Sequence, residues 1–321
     1  MHLFYIPFFI AIKLLIFICA FVIIILILLH IKLIYFFNSL QNKCNNWGIN
    51  IILQLKNKGL SSYNLKCIAI ITMLLDHVYK VFFPFLMPII EKLFNTNQID
   101  SYFIILLLFG IGNATMPIFA WFVAEGCHYT HNIKAYIGRL LLFGIISEIP
   151  FQLMIKLINA EPLSLEIGLT NIMFTLALGA ISCCGYQFSQ DKKQHILKWC
   201  VPLACAAIAY FLKTDYDAYG VLAVFVCYIF KDKKLKLISL TSLIFLFRGI
   251  IFPITEIISD GFNFQIIIMD LIVLTYTLVS IFLLWFYNGK LGKKLKYFFY
   301  TFYPLHMVIL LLLFTFINFI N

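Results

Sequence analysis

The chain has 321 residues, 63% hydrophobic and only 12% charged, with a mean hydropathy of +0.99. Soluble domains carry about 25% charged residues, so this composition excludes a water-soluble globule of this size. The formal net charge of +10 does not point to nucleic acid. The lysines sit in short clusters between apolar blocks, with no long basic run interleaved with aromatics.

Those blocks are about 20 residues long, the length a helix needs to cross a hydrocarbon core of about 30 Å. They predict an all-α, polytopic transmembrane bundle of about ten spans in the plasma or inner membrane, with lipid as its solvent. The predicted spans run over 14–37, 64–84, 102–125, 136–158, 167–188, 196–212, 216–230, 235–254, 265–287 and 298–319. The first is too long for a signal peptide and lacks a small-residue cleavage site, so it reads as a retained helix. Residues 1–60 form an N-terminal extension with this extra helix and a cytoplasmic linker, ahead of the main domain at 61–321.

Basic residues alternate from loop to loop. One side holds Lys43, Lys56, Lys58, Lys134, Arg139, Lys192, Lys193, Lys198, Lys231, Lys233, Lys234, Lys236, Lys290, Lys293, Lys294 and Lys296. The other side holds Lys92, Lys156 and Lys213. Sixteen against three makes the first side cytoplasmic and puts both termini outside.

Ionisable side chains within spans are costly and mark candidate sites. The second span enters at Lys66 and carries Asp76 and His77, the latter about 16 Å further along the axis. His77 can accept a proton near neutral pH, and a neighbouring carboxylate can orient it. Asp76 can equally pair with Lys80 at i+4. Glu125 ends the third span near the cytoplasmic interface. Arg139 opens the fourth, where a guanidinium could grip phosphate or serve only as a basic loop residue. Glu148 lies deep in the fourth span and needs a partner, as do Arg248 and Asp270 in spans eight and nine. His306 sits about two turns into the last span. Asp215 and Asp217 fall in an external turn, able to meet a cation or basic acceptor or simply to be solvated.

Cys19, Cys67, Cys205 and Cys227 lie in apolar blocks and behave as small hydrophobes. No C-x-x-C pair, Walker loop, G-x-S-x-G, H-E-x-x-H or dinucleotide fingerprint is present, and no metal site is expected.

Five blocks, in this order, resemble the TraX family: LKCIAIITMLLDH (65–77), MPIFAWFVAEGCHYTHNIKAYIGRLLLFGIISEIPF (116–151), TNIMFTLALG (170–179), DYDAYGV (215–221) and KYFFYTFYPLHMVIL (296–310). The resemblance implies a membrane acetyltransferase using cytoplasmic acetyl-CoA, linked in the family to conjugative pilin acetylation. It implies His77 as general base or acetyl carrier, with Asp76 tuning it. It also implies Arg139, Lys66, Glu125 and Asn171 on the cofactor side, and Pro304 and His306 as the terminal Pro-x-His. Lys80 and Glu148 complete the candidate polar site. One departure is Asn113, where the family pattern carries Arg. The acceptor (pilin, glycan, lipid or peptide) is left open. The competing expectations are a proton-coupled transporter, with Asp76, His77, Glu148 and His306 as its relay, and a non-catalytic pilus or envelope assembly protein.

Overall fold

The computed structural model describes residues 59–94, 110–166 and 168–320. The chain divides into two compact units, Met1–Gly59 and Leu60–Asn321. The predicted span over 14–37 lies outside the described residues.

The described part of the second unit is helical. In chain order the helices are α1 (Ser62–Phe94), α2 (Thr115–Tyr129), α3 (Ile133–Ile158), α4 (Ile172–Asp191), α5 (Leu197–Phe211), α6 (Asp217–Ile229), α7 (Lys233–Leu246), α8 (Phe252–Asp260), α9 (Phe264–Trp285) and α10 (Lys296–Ile320). A 3₁₀ turn, Ile111–Ala114, leads into α2, and a π-helical segment, Phe247–Ile251, joins α7 to α8. Asn132, Asn171, Asp232 and Asn263 cap their helices through side-chain oxygens on the amides of Ala135, Met173, Leu235 and Gln265. Each satisfies a backbone donor that the first turn cannot.

Among the described residues six helices are long and apolar enough to cross a membrane: Ser62–Leu86, Ile133–Ile158, Ile172–Asp191, Lys233–Ser259, Phe264–Trp285 and Tyr297–Phe319. The expected spans at 196–212 and 216–230 are apolar helices of 15 and 13 residues. At 1.5 Å per residue they reach only about 20 Å, short of the ~30 Å hydrocarbon core. The turn between them explains the shortening. Lys213, Tyr216 and Asp217 all take positive φ there, which stops α5 and restarts the chain as α6. Of the expected third span, over 102–125, the described residues begin at Gly110, where a 3₁₀ turn leads into the α-helix at Thr115.

Helices α2, α4 and α6 form the interior and pack on one another; α5 closes against α4 and α6. Trp121, Met116, Tyr219 and Val221 are fully or nearly fully enclosed there. Helix α9 is the opposite case, with Phe282 and Trp285 exposed, as are Leu312 and Phe316 on α10. Such outward apolar faces suit lipid rather than water. At one end, the strand-like stretch before α1 pairs with 286–291. Leu60 and Ser62 donate to Phe286 and Lys290 carbonyls at 2.7 and 2.8 Å. That clip sets the lysine-bearing loop before α10 beside the start of α1.

Candidate active site

A cavity of about 440 Å³ opens at the end carrying the basic loops. Its mouth holds Lys66 from α1, Arg139 from α3, and Lys293 and Lys294 from the loop before α10. Lys66 lies over the rings of Phe122 and Phe299, at 4.9 and 5.7 Å. Arg139 donates to the Tyr300 hydroxyl and lies 5.9 Å from the Tyr136 ring, while its Nε is buried without a partner among the described residues. Deeper in, the walls become apolar, through Ile70, Phe119, Leu140 and Leu176, and the cavity reaches Met73 and Tyr303. Those residues lie one helical turn before His77 and His306.

The two histidines, 229 positions apart in sequence, meet there. His77 Nδ1 lies 2.8 Å from His306 Nε2, and the rings are stacked with centroids 5.1 Å apart. The second nitrogen of His306, Nδ1, lies 2.9 Å from the Phe302 carbonyl. A carbonyl only accepts, so His306 Nδ1 carries its proton and Nε2 of the neutral ring is left an acceptor. His77 Nδ1–H then donates to it, and His77 Nε2 keeps its lone pair for chemistry.

Asp76 does not orient this pair. Its Oδ2 takes the Lys80 ammonium at 2.7 Å, one turn away on the same helix, and its Oδ1 has no hydrogen-bond partner among the described residues. Side chains at i and i+1 point about 100° apart, so Asp76 and His77 face different neighbours. The backbone of Gly112 presses against Asp76: a Cβ there would lie 2.8 Å from the Asp76 side chain. Only glycine allows that approach.

Glu148 and Asn171, expected near the cofactor or a relay, instead clamp α3 to the start of α4. Glu148 Oε1 accepts from Gln152 Nε2, Thr170 N and Thr170 Oγ1 at 2.9, 2.9 and 2.6 Å. Its Oε2 accepts from Asn171 N and Nδ2 at 3.3 and 2.6 Å. Asn171 also donates to the Gly144 carbonyl and caps α4, so its side-chain capacity is committed within the clamp. The four-residue relay of the transporter reading is therefore not joined: Glu148 bonds to neither histidine.

Glu125 lies just outside the first cavity. It accepts from Trp121 Nε1 and the Tyr287 hydroxyl, both at 2.9 Å, and lines a second cavity of about 640 Å³ with Lys231, Lys233 and Lys236. Asn113, in the place of the family's Arg, donates to the Gly110 carbonyl and so stiffens the 3₁₀ turn.

At the other end of the bundle, Asp215 sits in the turn between α5 and α6. Burial pushes its carboxyl up from the ordinary 3.8 to about 6; Lys80, Arg248 and the Tyr216 amide hold it down, and Asp76 adds to the rise. The raised value means the folded chain holds this proton more tightly than the unfolded chain. That stability is fully present below about pH 4 and is lost as pH rises through about 6. Thermal unfolding in detergent between pH 4 and 7 is expected to show that fall in wild type and a flatter profile in Asp215→Asn. Equal profiles would remove Asp215 from the account.

Sequence reasoning missed Tyr136 and Tyr300 as cavity residues, and named Lys293 and Lys294 only among the lysines of the cytoplasmic loops. It likewise left the His77–His306 contact unforeseen, since neither helix encodes its neighbour.

A family model described as "TraX protein" matches residues 61–314. A curated relative, the probable fimbrial assembly protein FimC, serogroup H1, of Dichelobacter nodosus, is 31% identical over 129 residues. The alignment takes in 40% of this chain and 47% of the relative, so the chain spans about half the length of the curated protein it matches. No solved structure matches.

Proposed function

From the premise that the chain belongs to the TraX family, we propose that it is an integral membrane acetyltransferase working on acetyl-CoA. The observation that carries this reading is the cavity itself, cationic at its mouth, apolar within, and ending one turn from a histidine with a bare nitrogen.

The residues present fit acetyl-CoA. Its phosphates are anionic and its pantetheine arm is slender and mostly apolar. Lys66, Arg139, Lys293 and Lys294 supply the countercharge, and the unsatisfied Arg139 Nε calls for an acceptor. Acetyl-CoA supplies a thioester whose C–S bond breaks as the acceptor's C–O or C–N bond forms, the thiolate taking up the released proton. His77 Nε2 takes that proton from the acceptor, while His306 steadies the imidazolium through Nδ1–H. Such a general base contributes about 10²–10⁴-fold.

Equilibrium binding of acetyl-CoA to the detergent-solubilised protein tests the reading. Affinity is expected to fall as salt rises, because the mouth charges are partly screened at a Debye length of about 8–10 Å. Arg139→Gln should weaken binding about tenfold, in line with loss of a charge-assisted hydrogen bond. Absence of binding at every salt concentration would sink the proposal. The relative's name favours a second reading, an assembly protein of a fimbrial system in which the histidines are only structural.

A further inference from the structure

The second cavity, of about 640 Å³, faces another side of α2 from the first: Trp121 and Glu125 line it, where Phe122 and Gly126 line the other. Its remaining walls come from the start of α7 and the chain after α9, which bring Lys231, Lys233, Lys236 and Tyr287 to it. Lys236 is the unusual member. It is 5% exposed, and its ammonium lies 4.4 Å from the centre of the Trp121 ring with no hydrogen bond or ion pair among the described residues. A ring face offsets only part of what an ammonium loses on leaving water, so its three N–H donors still call for an acceptor.

The neighbours decide what kind of acceptor fits. Lys233 donates to the Trp285 and Tyr287 carbonyls, both at 2.6 Å, which leaves it one N–H, and Lys231 is exposed. Glu125, the carboxylate in the lining, already accepts at both oxygens, from Trp121 and Tyr287. Asp232 is not a lining residue and caps α7 through the Leu235 amide. Three cations against one anion leave the cavity positive, with donors open and acceptors engaged. An anion offering several oxygens in a tetrahedral arrangement, a phosphate, answers that set. Lysines serve phosphate as point charges, whereas a planar carboxylate favours the fork of an arginine.

The surroundings indicate where the phosphate comes from. Lys233 opens one of the helices long and apolar enough to cross a membrane, and Trp285 closes another. Leu235 and Ile238 of α7 and Phe282 and Trp285 of α9 are all exposed, on two helices that pack together. The cavity therefore stands where an outward apolar surface ends, at the level that interfacial tryptophans mark. Basic pockets between membrane helices at such a level take anionic lipid headgroups. We infer that the second cavity holds the headgroup phosphate of an anionic phospholipid, with Lys231, Lys233 and Lys236 as its donors and the acyl chains along the exposed faces of α7 and α9. This goes beyond the acetyltransferase reading and stands without it.

The test titrates the full chain, in detergent micelles, with dioleoylphosphatidylglycerol or dioleoylphosphatidylcholine and counts bound lipid by native mass spectrometry. Phosphatidylcholine carries the same phosphate beside a quaternary ammonium, which the lysines repel. The first phosphatidylglycerol is expected to bind about tenfold more tightly than the first phosphatidylcholine, as for a few lysines near an anionic headgroup. Lys236→Met, which keeps an unbranched chain over Trp121 and removes the charge, should erase most of that preference. Lys231→Gln, at an exposed position that leaves the packing alone, should reduce it several-fold, and decides the matter if Lys236→Met does not fold. Arg139→Gln, in the other cavity, should leave it unchanged. Adenosine 3′,5′-bisphosphate in place of lipid probes a phosphate from solution. Its Lys236-dependent binding without any phosphatidylglycerol preference would assign the cavity to a soluble phosphate ester and overturn the lipid. Equal affinity for the two lipids, a preference kept in the lysine variants, or one lost in Arg139→Gln overturns the site.

Discussion

His77→Gln is expected to lower acetyl transfer by about 10²–10⁴-fold while leaving acetyl-CoA affinity within about twofold. Glutamine fills much of the same space, and its amide can still donate to His306 Nε2, so the contact between α1 and α10 survives. What it removes is the unbonded Nε2 lone pair, the basic group that the paired geometry leaves open. His306→Phe makes the complementary case. The stacked ring stays, but His77 Nδ1–H loses its acceptor and the tautomer is no longer fixed, which should slow transfer with a changed pH profile. CoA release and acetyl-CoA binding, measured together, read both variants. Full turnover by His77→Gln, or full complementation by His77→Ala in cells, would remove the histidine from the chemistry and favour the assembly reading.

The largest structural effect is expected at Glu148. Five hydrogen bonds converge on its carboxyl from Gln152, Thr170 and Asn171, joining α3 to the cap of α4. Glu148→Ala leaves these donors without acceptors in a buried place, at about 1–3 kcal/mol for each that finds no water. A total loss of about 3 kcal/mol or more follows. Glu148→Gln should be nearly as harmful, because its new NH₂ faces donors where an oxygen stood. Thermal unfolding in detergent measures both, and a Gln variant as stable as wild type would show that the site is not an acceptor-only clamp.

The helices were legible because their apolar blocks are long and uninterrupted, and Lys80 as partner of Asp76 was legible from i,i+4 spacing. The shortness of α5 and α6 was not, since the Lys213–Asp217 turn depends on backbone conformations that composition does not announce. Lys66 and Arg139 line one cavity, and Asn171 and Glu125 are not among its lining residues. Asn171 is consumed by capping and by Glu148, and Glu125 by Trp121 and Tyr287. Those commitments are made between helices, where local pattern carries no information. The same holds for His77 and His306: each lies on its own apolar helix, and only packing brings them together.

The wide turn at Phe247–Ile251 gives length a meaning there that residue identity does not have. A π segment accommodates one residue more than an α-helix would over the same rise. Removing a single residue from it lets α7 and α8 merge into a regular helix whose two flanks keep the faces they now present, while the local position of Arg248 changes. Deletions here would therefore regularise the backbone bonding while displacing Arg248 from the rings of Tyr216, Tyr219 and Phe252. The segment is a register mark, kept by counting.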